Sequence, residues 1–373
     1  MPPADTCKYS GWTIWAAYQR GLVTGDTPHL VGMLDDFVAY YTAWEQKRLN
    51  PDGSFWQHDV RDAMEESISG SRTDRNLRPP LNSYMYGNAA ALAKIATLAG
   101  RADLATEYSR KAEGLKRFVE EKLWDDDAKF FKVRFVHPGR PTDNTLSDAR
   151  EEIGFIPWYF DLPERGRGYE AAWAQLIDVE GFKAPFGITT AERRHPRFRF
   201  HDEGGCEWNG PVWPFATSQT LTGLANVLND REQSVVTKQD YFDALRTYAR
   251  STYRHGKPYI GEYLDERTGE WLHKDPERGR YYNHSTFCDL VISGLVGLRP
   301  GEGNTLRVNP LVPAGTWDWF CLDGVPYRGR SVTVLWDRTG ERYRRGAGLS
   351  VLIDGVLVSR ADRLEGLTVH LAE

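Results

Sequence analysis

The sequence predicts a mainly α protein: helical hairpins arranged in a ring over residues 1–300, followed by a small antiparallel β module over 301–373. Three observations carry this expectation. Segments with helical apolar spacing alternate between nearly all-apolar or small-residue stretches and amphipathic ones. Long loops lead from each amphipathic segment to the next apolar one. Beyond Pro300 the spacing changes to the period of strands.

Nine segments read as helices from apolar spacing and end signals. The first, over 11–23, is stopped by Gly25, and the second, over 29–48, places Leu30, Met33, Leu34, Phe37, Tyr41 and Trp44 at helical spacing. The polar loop NPDGSFWQHDVRD follows. Pro79-Pro80 opens a third helix over 81–99, and Gly100 ends it. The fourth, over 104–124, is amphipathic along Ala105, Tyr108, Ala112, Leu115, Val119 and Leu123. After strand-like FFKVRFV and a loop to Ser147, short helices cover 152–159 and 169–177. The segment 186–211 reads as loop, 212–228 as a buried inner helix and 239–253 as an amphipathic outer one. A loop over 259–282 leads to a last apolar helix, 284–298, ended by Pro300. TLRVNPLV, SVTVLWD and LSVLIDGVLVS then read as strands separated by glycine turns.

Composition excludes several classes of function. A chain of 373 residues with 40% apolar and 27% charged residues has ample material for a large core. A net charge of −5 offers no basic excess for phosphates, so nucleic acid is not expected as a partner. No apolar run approaches the roughly 20 residues of a membrane span, and MPPADTCKYSGW lacks the charged-then-apolar pattern of a secretory signal. Cys7, Cys206, Cys288 and Cys321 lie far apart, as expected of a reduced cytoplasmic chain.

Aromatic residues reach 13%, including 13 tryptophans. They could fill a large core, or stack on the apolar faces of sugar rings. Three loop segments favour the second use. They are FWQHDVRDAMEESISG with Asp59, Asp62, Glu65 and Glu66, then DEGGCEWNGPVWPF with Asp202, Glu203 and Glu207, and YIGEYLDERTGEWL with Glu262, Asp265, Glu266 and Glu270. Carboxylates mixed with aromatics suit cleavage of a glycosidic bond, where one acid protonates the leaving oxygen and another activates water. The alternative is that these are acidic, solvated loops stapled down by their rings. There is no GxSxG elbow, no phosphate-binding glycine loop and no HExxH or Cys/His cluster, so no metal or other cofactor is expected.

EYLDERTGEWL and the following RYYNHSTFCDLVISGL resemble the EYYDP-TG motif and next helix of glycoside hydrolase family 63 and the related mannosylglycerate hydrolases, themselves related to family 37 trehalases. WNGPVWPF resembles their WRGPxW segment, with Asn209 in place of arginine. DAMEESISG and PPLNSYMYGNAAAL resemble their GLDxSPR acid motif and DLN helix start. The tail from GLRPGEG onward looks like the β module behind the catalytic ring of several bacterial glycosidases. The resemblance implies an (α/α)6 toroid. Against that pattern three N-terminal helices are absent, so the chain is either shortened or completed by a partner copy or an N-terminal segment. It also implies Glu262 as catalytic base and Glu65, one methylene longer than the family aspartate, as acid; Asp62 is the main rival and Asp59 a weaker one.

The resulting expectation is an inverting hydrolase of a small α-linked glycoside. Inversion needs the two carboxyls roughly 6.5–9.5 Å apart. The acid is expected to stay protonated by burial against Trp56, and Glu262 to stay ionised in a more polar setting. Trp208, Trp213, Tyr263 and Trp271 are candidates to stack on the sugar. Asn82, Asn209 and Arg61, with Glu207 and His284, are candidates to bind hydroxyls or line the pocket. Two other readings stay open: a non-catalytic carbohydrate-binding ring, and a polysaccharide lyase using Tyr281, Tyr282 and His284 on an acidic sugar.

Overall fold

The computed structural model describes residues 7–62, 64–200, 206–283 and 286–371. Helix α1 (Thr13–Thr24) ends at Gly25, whose left-handed φ of 72° lets its N–H return to the Gly21 carbonyl. The helix expected over 29–48 is two helices, α2 (Thr27–Gly32) and α3 (Leu34–Arg48). The break falls at Met33, which has φ −92° and ψ 2°. Apolar spacing continues through the break, so periodicity alone could not reveal it.

Helix α4 (Pro79–Leu98) has Pro79 and Pro80 at its first positions, where a missing N–H costs nothing, and it is buried on nearly every side. Helix α5 (Ala102–Phe118) buries Tyr108, Ala112 and Leu115 of the stripe read from sequence, with Phe118 beside them, while Ala105 is only partly covered. It runs into a π turn over Val119–Leu123. Of FFKVRFV only Phe130–Phe131 is strand, paired with Trp124–Asp125. Glu152–Phe160 is a 3-10 helix with Pro157 inside it, because proline removes a donor that an α-helix needs. It lies close against α4, where a Cβ at Gly87 would meet the Phe160 ring at 2.3 Å.

A short 3-10 turn at Tyr169–Trp173 leads into α6 (Ala174–Ile177). Helix α7 (Pro214–Asp230) is the expected inner helix. Helix α8 (Lys238–Ser251) starts with a capping box between Thr237 and Asp240. After α9 (Pro276–Gly279), the last expected helix is only α10 (Phe287–Asp289) and a π turn over Leu290–Leu295. The Tyr241 hydroxyl donates to the Leu290 carbonyl at 2.7 Å and sits where a Cβ at Gly294 would be. That inserted donor accounts for the widened turn.

The inner elements pack in sequence, α1 on α4, α4 on 152–160, that segment on α7, and α7 on 290–295. Outside them, α3 and α5 pack on α4, and α8 on α7. The inner elements border a hollow of about 610 Å³ lined by Trp15, Tyr18, Tyr159, Asn226, Ser293 and Arg299 among others.

Every strand beyond residue 297 is antiparallel to its neighbours. One sheet runs 356–361, 348–353, 330–337, 319–327, and a second runs 367–370, 305–308, 298–300. The strand Trp319–Tyr327 was not expected, because Gly324 (φ 70°) interrupts its alternation and the register shifts opposite Val332–Val334. The β part shares one apolar core with the helices, running from Phe155 and Leu224 through Leu306 to Leu349 and Val351. Asp230 of α7 pairs with Arg299 and Arg307, and Arg328 donates to the Leu22 and Val23 carbonyls. Among the described residues no helix is long and apolar enough to cross a membrane.

Candidate active site

The loop preceding α4 is held from beneath. The buried Glu151 carboxylate accepts the Ile68 N–H at 2.8 Å and also bonds the Ser69 hydroxyl. This brings Glu65 to the surface of the core, half-buried, with its Oε2 accepting the Trp208 indole N–H at 3.2 Å. Trp208 therefore touches the candidate acid through its N–H. Its ring stacks on Trp213, with centroids 4.0 Å apart. Trp213 in turn stacks on Tyr263, 4.6 Å away and nearly parallel. A continuous pile of three rings thus runs from the side chain that holds Glu65 to the residue next to Glu262.

Glu262 lies on a hairpin. Leu264 pairs with both Val212 and Trp271, and the turn between them is closed by the Asp265 carboxylate accepting the Arg267 and Thr268 N–H groups. Gly269, at φ 75°, packs on the Phe186 ring and could not carry a side chain there. Arg199 ties the hairpin down through Glu266 at 2.8 Å. Glu262 itself is buried, 7% exposed. Burial and the facing Glu65 carboxylate push it up to about 7, with Arg278 opposing them. The Cys206 thiol is pushed up to about 11 by burial and then by Glu65 and Glu262, which places all three groups together.

The expected polarity of the pair is therefore corrected. Glu262 was expected to remain ionised in a polar setting, yet it is enclosed and opposed by a like charge. The like charge of Glu65 adds to burial in favouring the protonated form of Glu262. Burial of the acid against Trp56 is corrected too. The guanidiniums of Arg48 and Arg75 lie 4.2 and 4.4 Å from that ring, and the neighbour of Glu65 is Trp208.

Asp62 has a different task. It forms a fully buried ion pair with Arg78 at 3.1 Å, both side chains at zero exposure. Asp59 is buried as well and pushed up to about 6 by burial, its Oδ1 taking the Val60 N–H. The Asn82 amide bonds the Phe55 N–H and the Phe55 and Arg78 carbonyls, so it ties the loop to α4. The Arg61 guanidinium lies over the Tyr9 ring. Trp271 is packed with Val212 and Leu264 and donates to the Tyr253 carbonyl.

Both faces of Trp213 are taken by Trp208 and Tyr263, and its N–H donates to the Glu207 carbonyl at 2.6 Å, so it cannot also stack on a sugar. Tyr263 is 1% exposed, and burial pushes its phenol up with Glu207 as the next cause. Asn209 is fully buried, and its amide has no hydrogen-bond partner among the described residues. His284, with Asp202 and Glu203, lies outside the described residues. Tyr281 and Tyr282 are exposed, at 73% and 49%, which gives no enclosed lyase base. No group of three or more metal-binding side chains occurs among the described residues.

Sequence reasoning missed Cys206, Arg278 and His273. The His273 Nε2 lies 3.5 Å from Glu262 Oε2. The signal was present, since the turn in EYLDERTGEWLH fixes which residue stands opposite Glu262.

The family model for the mannosylglycerate hydrolase MGH1-like glycoside hydrolase domain matches residues 2–285. The chain belongs to this family. The glycosyl hydrolase family 65 C-terminal domain model matches residues 298–359. A solved structure named Sialidase is 47% identical over 98% of this chain, with a TM-score of 0.94, and this chain covers 33% of it. The family 63 mannosylglycerate hydrolase from Thermus thermophilus, solved with glucose, is 16% identical over 76% of this chain and 75% of its own, with a TM-score of 0.54. An uncharacterized protein of Borreliella burgdorferi is 24% identical over 56% of this chain and 42% of its own length. This MGH1-like chain thus spans a third to under half of two of these relatives. The resemblance to family 63, read first from EYLDERTG and WNGPVW, is borne out at the level of the family.

Proposed function

We propose that this MGH1-like domain hydrolyses a small α-linked glycoside with inversion, Glu65 acting as acid and Glu262 as base. The observation that carries this reading is the buried Glu262 facing Glu65. One carboxyl gives its proton to the glycosidic oxygen as the bond to the anomeric carbon breaks. The other takes a proton from the water that attacks the opposite face. After one turnover the proton has moved from Glu65 to Glu262, and solvent returns it. Trp208 donates to Oε2 of Glu65, which leaves Oε1 to carry the proton.

The inner and outer helices fit an (α/α)6 toroid around the 610 Å³ hollow. Residues 301–373 would serve as a packing module. The reaction needs no cofactor. The sialidase name belongs to a chain about three times as long, and a paired-glutamate site favours general acid–base hydrolysis.

Glu262→Gln keeps the shape of the side chain and removes the base. Turnover of an aryl α-glycoside is expected to fall at least about 10³-fold with the fold intact. Retained turnover would overturn the assignment. NMR of the first-formed product is expected to show the inverted anomer, and a retained anomer excludes a water between the carboxyls.

A further inference from the structure

We propose that His273 is a positioning residue for Glu262, its Nε2–H aiming the carboxylate and supplying the hydrogen bond that the ionised form needs. The proposal rests on the reading of Glu262 as the base. Hairpin register is the first support. Leu264 pairs with Trp271, so Glu262 and His273 stand opposite one another two residues further out, where cross-strand side chains meet. The 3.5 Å contact between Nε2 and Oε2 follows from that placement. Contacts of this length in a site without substrate commonly shorten in the reacting complex.

The second support is the tautomer. The Asp275 backbone N–H donates to His273 Nδ1 at 3.0 Å, so the neutral ring carries its proton on Nε2, the nitrogen beside Glu262. The same short turn fixes the ring in place. The Asp275 side chain caps it by accepting the Glu277 and Arg278 N–H groups, and a Cβ at Gly279 would meet His273 Cβ at 2.8 Å. Tyr263 flanks the imidazole edge-on, 6.3 Å between centroids.

The third support is need. The groups facing Glu262 are Glu65, Cys206 and Tyr263, which oppose its ionisation or are neutral, and Arg278, which favours it. Burial and Glu65 outweigh Arg278, leaving the carboxyl at about 7. A base so placed gains from a fixed donor. A hydrogen bond to the charged form is a strong one, and it acts on the ionised state alone.

The test uses His273→Phe, which removes the donor, and His273→Gln, which replaces it. Carboxyl ¹³C NMR follows the Glu262 titration, assigned by its loss in Glu262→Gln. The Glu262 midpoint is expected to rise by about one pH unit in His273→Phe and to return in His273→Gln. The acid limb of kcat/KM should move in step, with kcat recovering as the pH is raised. Long-range ¹H–¹⁵N spectra are expected to show the Nε2–H form. An unchanged midpoint in His273→Phe, or an Nδ1–H tautomer, overturns the proposal. Should His273→Phe not fold, Gly279→Ala displaces the ring while keeping it and is expected to raise the midpoint by a smaller amount. An unchanged midpoint there overturns the proposal equally. The titration requires no substrate, so it decides the contact even if Glu262→Gln stays active and the base assignment fails.

Discussion

Asp62 and Glu65 sit three residues apart on one loop and meet opposite fates. Asp62 is enclosed with Arg78, so its charge is cancelled inside the core and is unavailable to a substrate. Glu65 faces a second carboxyl, has an indole N–H as its hydrogen-bond partner, and stays half-buried. The difference teaches that a carboxylate cluster becomes a site only where its charge is left uncompensated. Breaking a buried ion pair costs stability, because the surviving partner remains in the core unpaired. Removing a carboxyl from a like-charged pair costs reactivity and relieves repulsion.

The largest effect should come from Glu65→Gln. It is expected to lower kcat on an unactivated glycoside by about 10²- to 10⁴-fold with little change in melting temperature. Normal activity in that variant would erase the distinction between the two acids. Next comes Asp62→Asn, which leaves Arg78 without its ionic partner in the core. Chemical denaturation is expected to show a loss of about 3 kcal/mol, reduced if Asp59 and Glu151 compensate the guanidinium. A stability equal to wild type, combined with lost turnover, would exchange the roles assigned to Asp62 and Glu65.

Trp213→Ala removes the middle of the ring pile that joins the two halves of the site. Both stability, by about 3 kcal/mol, and kcat, by about tenfold or more, are expected to fall. Loss of stability alone would reduce the pile to packing.

The pH dependence follows in size. Glu262 lies at about 7 against an ordinary 4.5, and the proposed base must be ionised to act, so kcat/KM should fall as pH drops below about 7. Stability runs the other way. The folded chain binds this proton more tightly than the unfolded one, so the contribution is present below 4.5 and is lost as pH rises toward 7. Glu262→Gln is therefore expected to exceed wild type in stability by about 1–2 kcal/mol at pH 8 and to match it at pH 4. Glu65→Gln should lower the Glu262 midpoint, because it removes the facing charge. The smallest change belongs to Trp56→Phe. Its ring lies under two guanidiniums away from the carboxyl pair, so kcat/KM should stay within about twofold of wild type.

Most of the helix content, the amphipathic character of α5 and α8, the buried character of α7, and the strands 305–308, 330–337 and 348–361 were legible in the sequence, because periodic burial is written locally. Breaks inside a continuous apolar pattern were not. Met33 splits a helix without interrupting its stripe, and the π turn at 290–295 depends on a tyrosine from another helix. The two glutamates proposed as acid and base were named from the motifs around them. The aromatic residues were harder: Trp213, Trp271 and Trp56 look alike in sequence, and only their neighbours show that they are covered.

By itself the sequence determined the residue types of the chemistry and the short-range devices that present them: the proline starts, the Asp265 turn and the register that sets His273 opposite Glu262. Tertiary structure decided which carboxyls are cancelled and which confront each other. Charge compensation depends on side chains far apart in the chain, such as Glu65 and Glu262, and proximity of that kind is a product of packing.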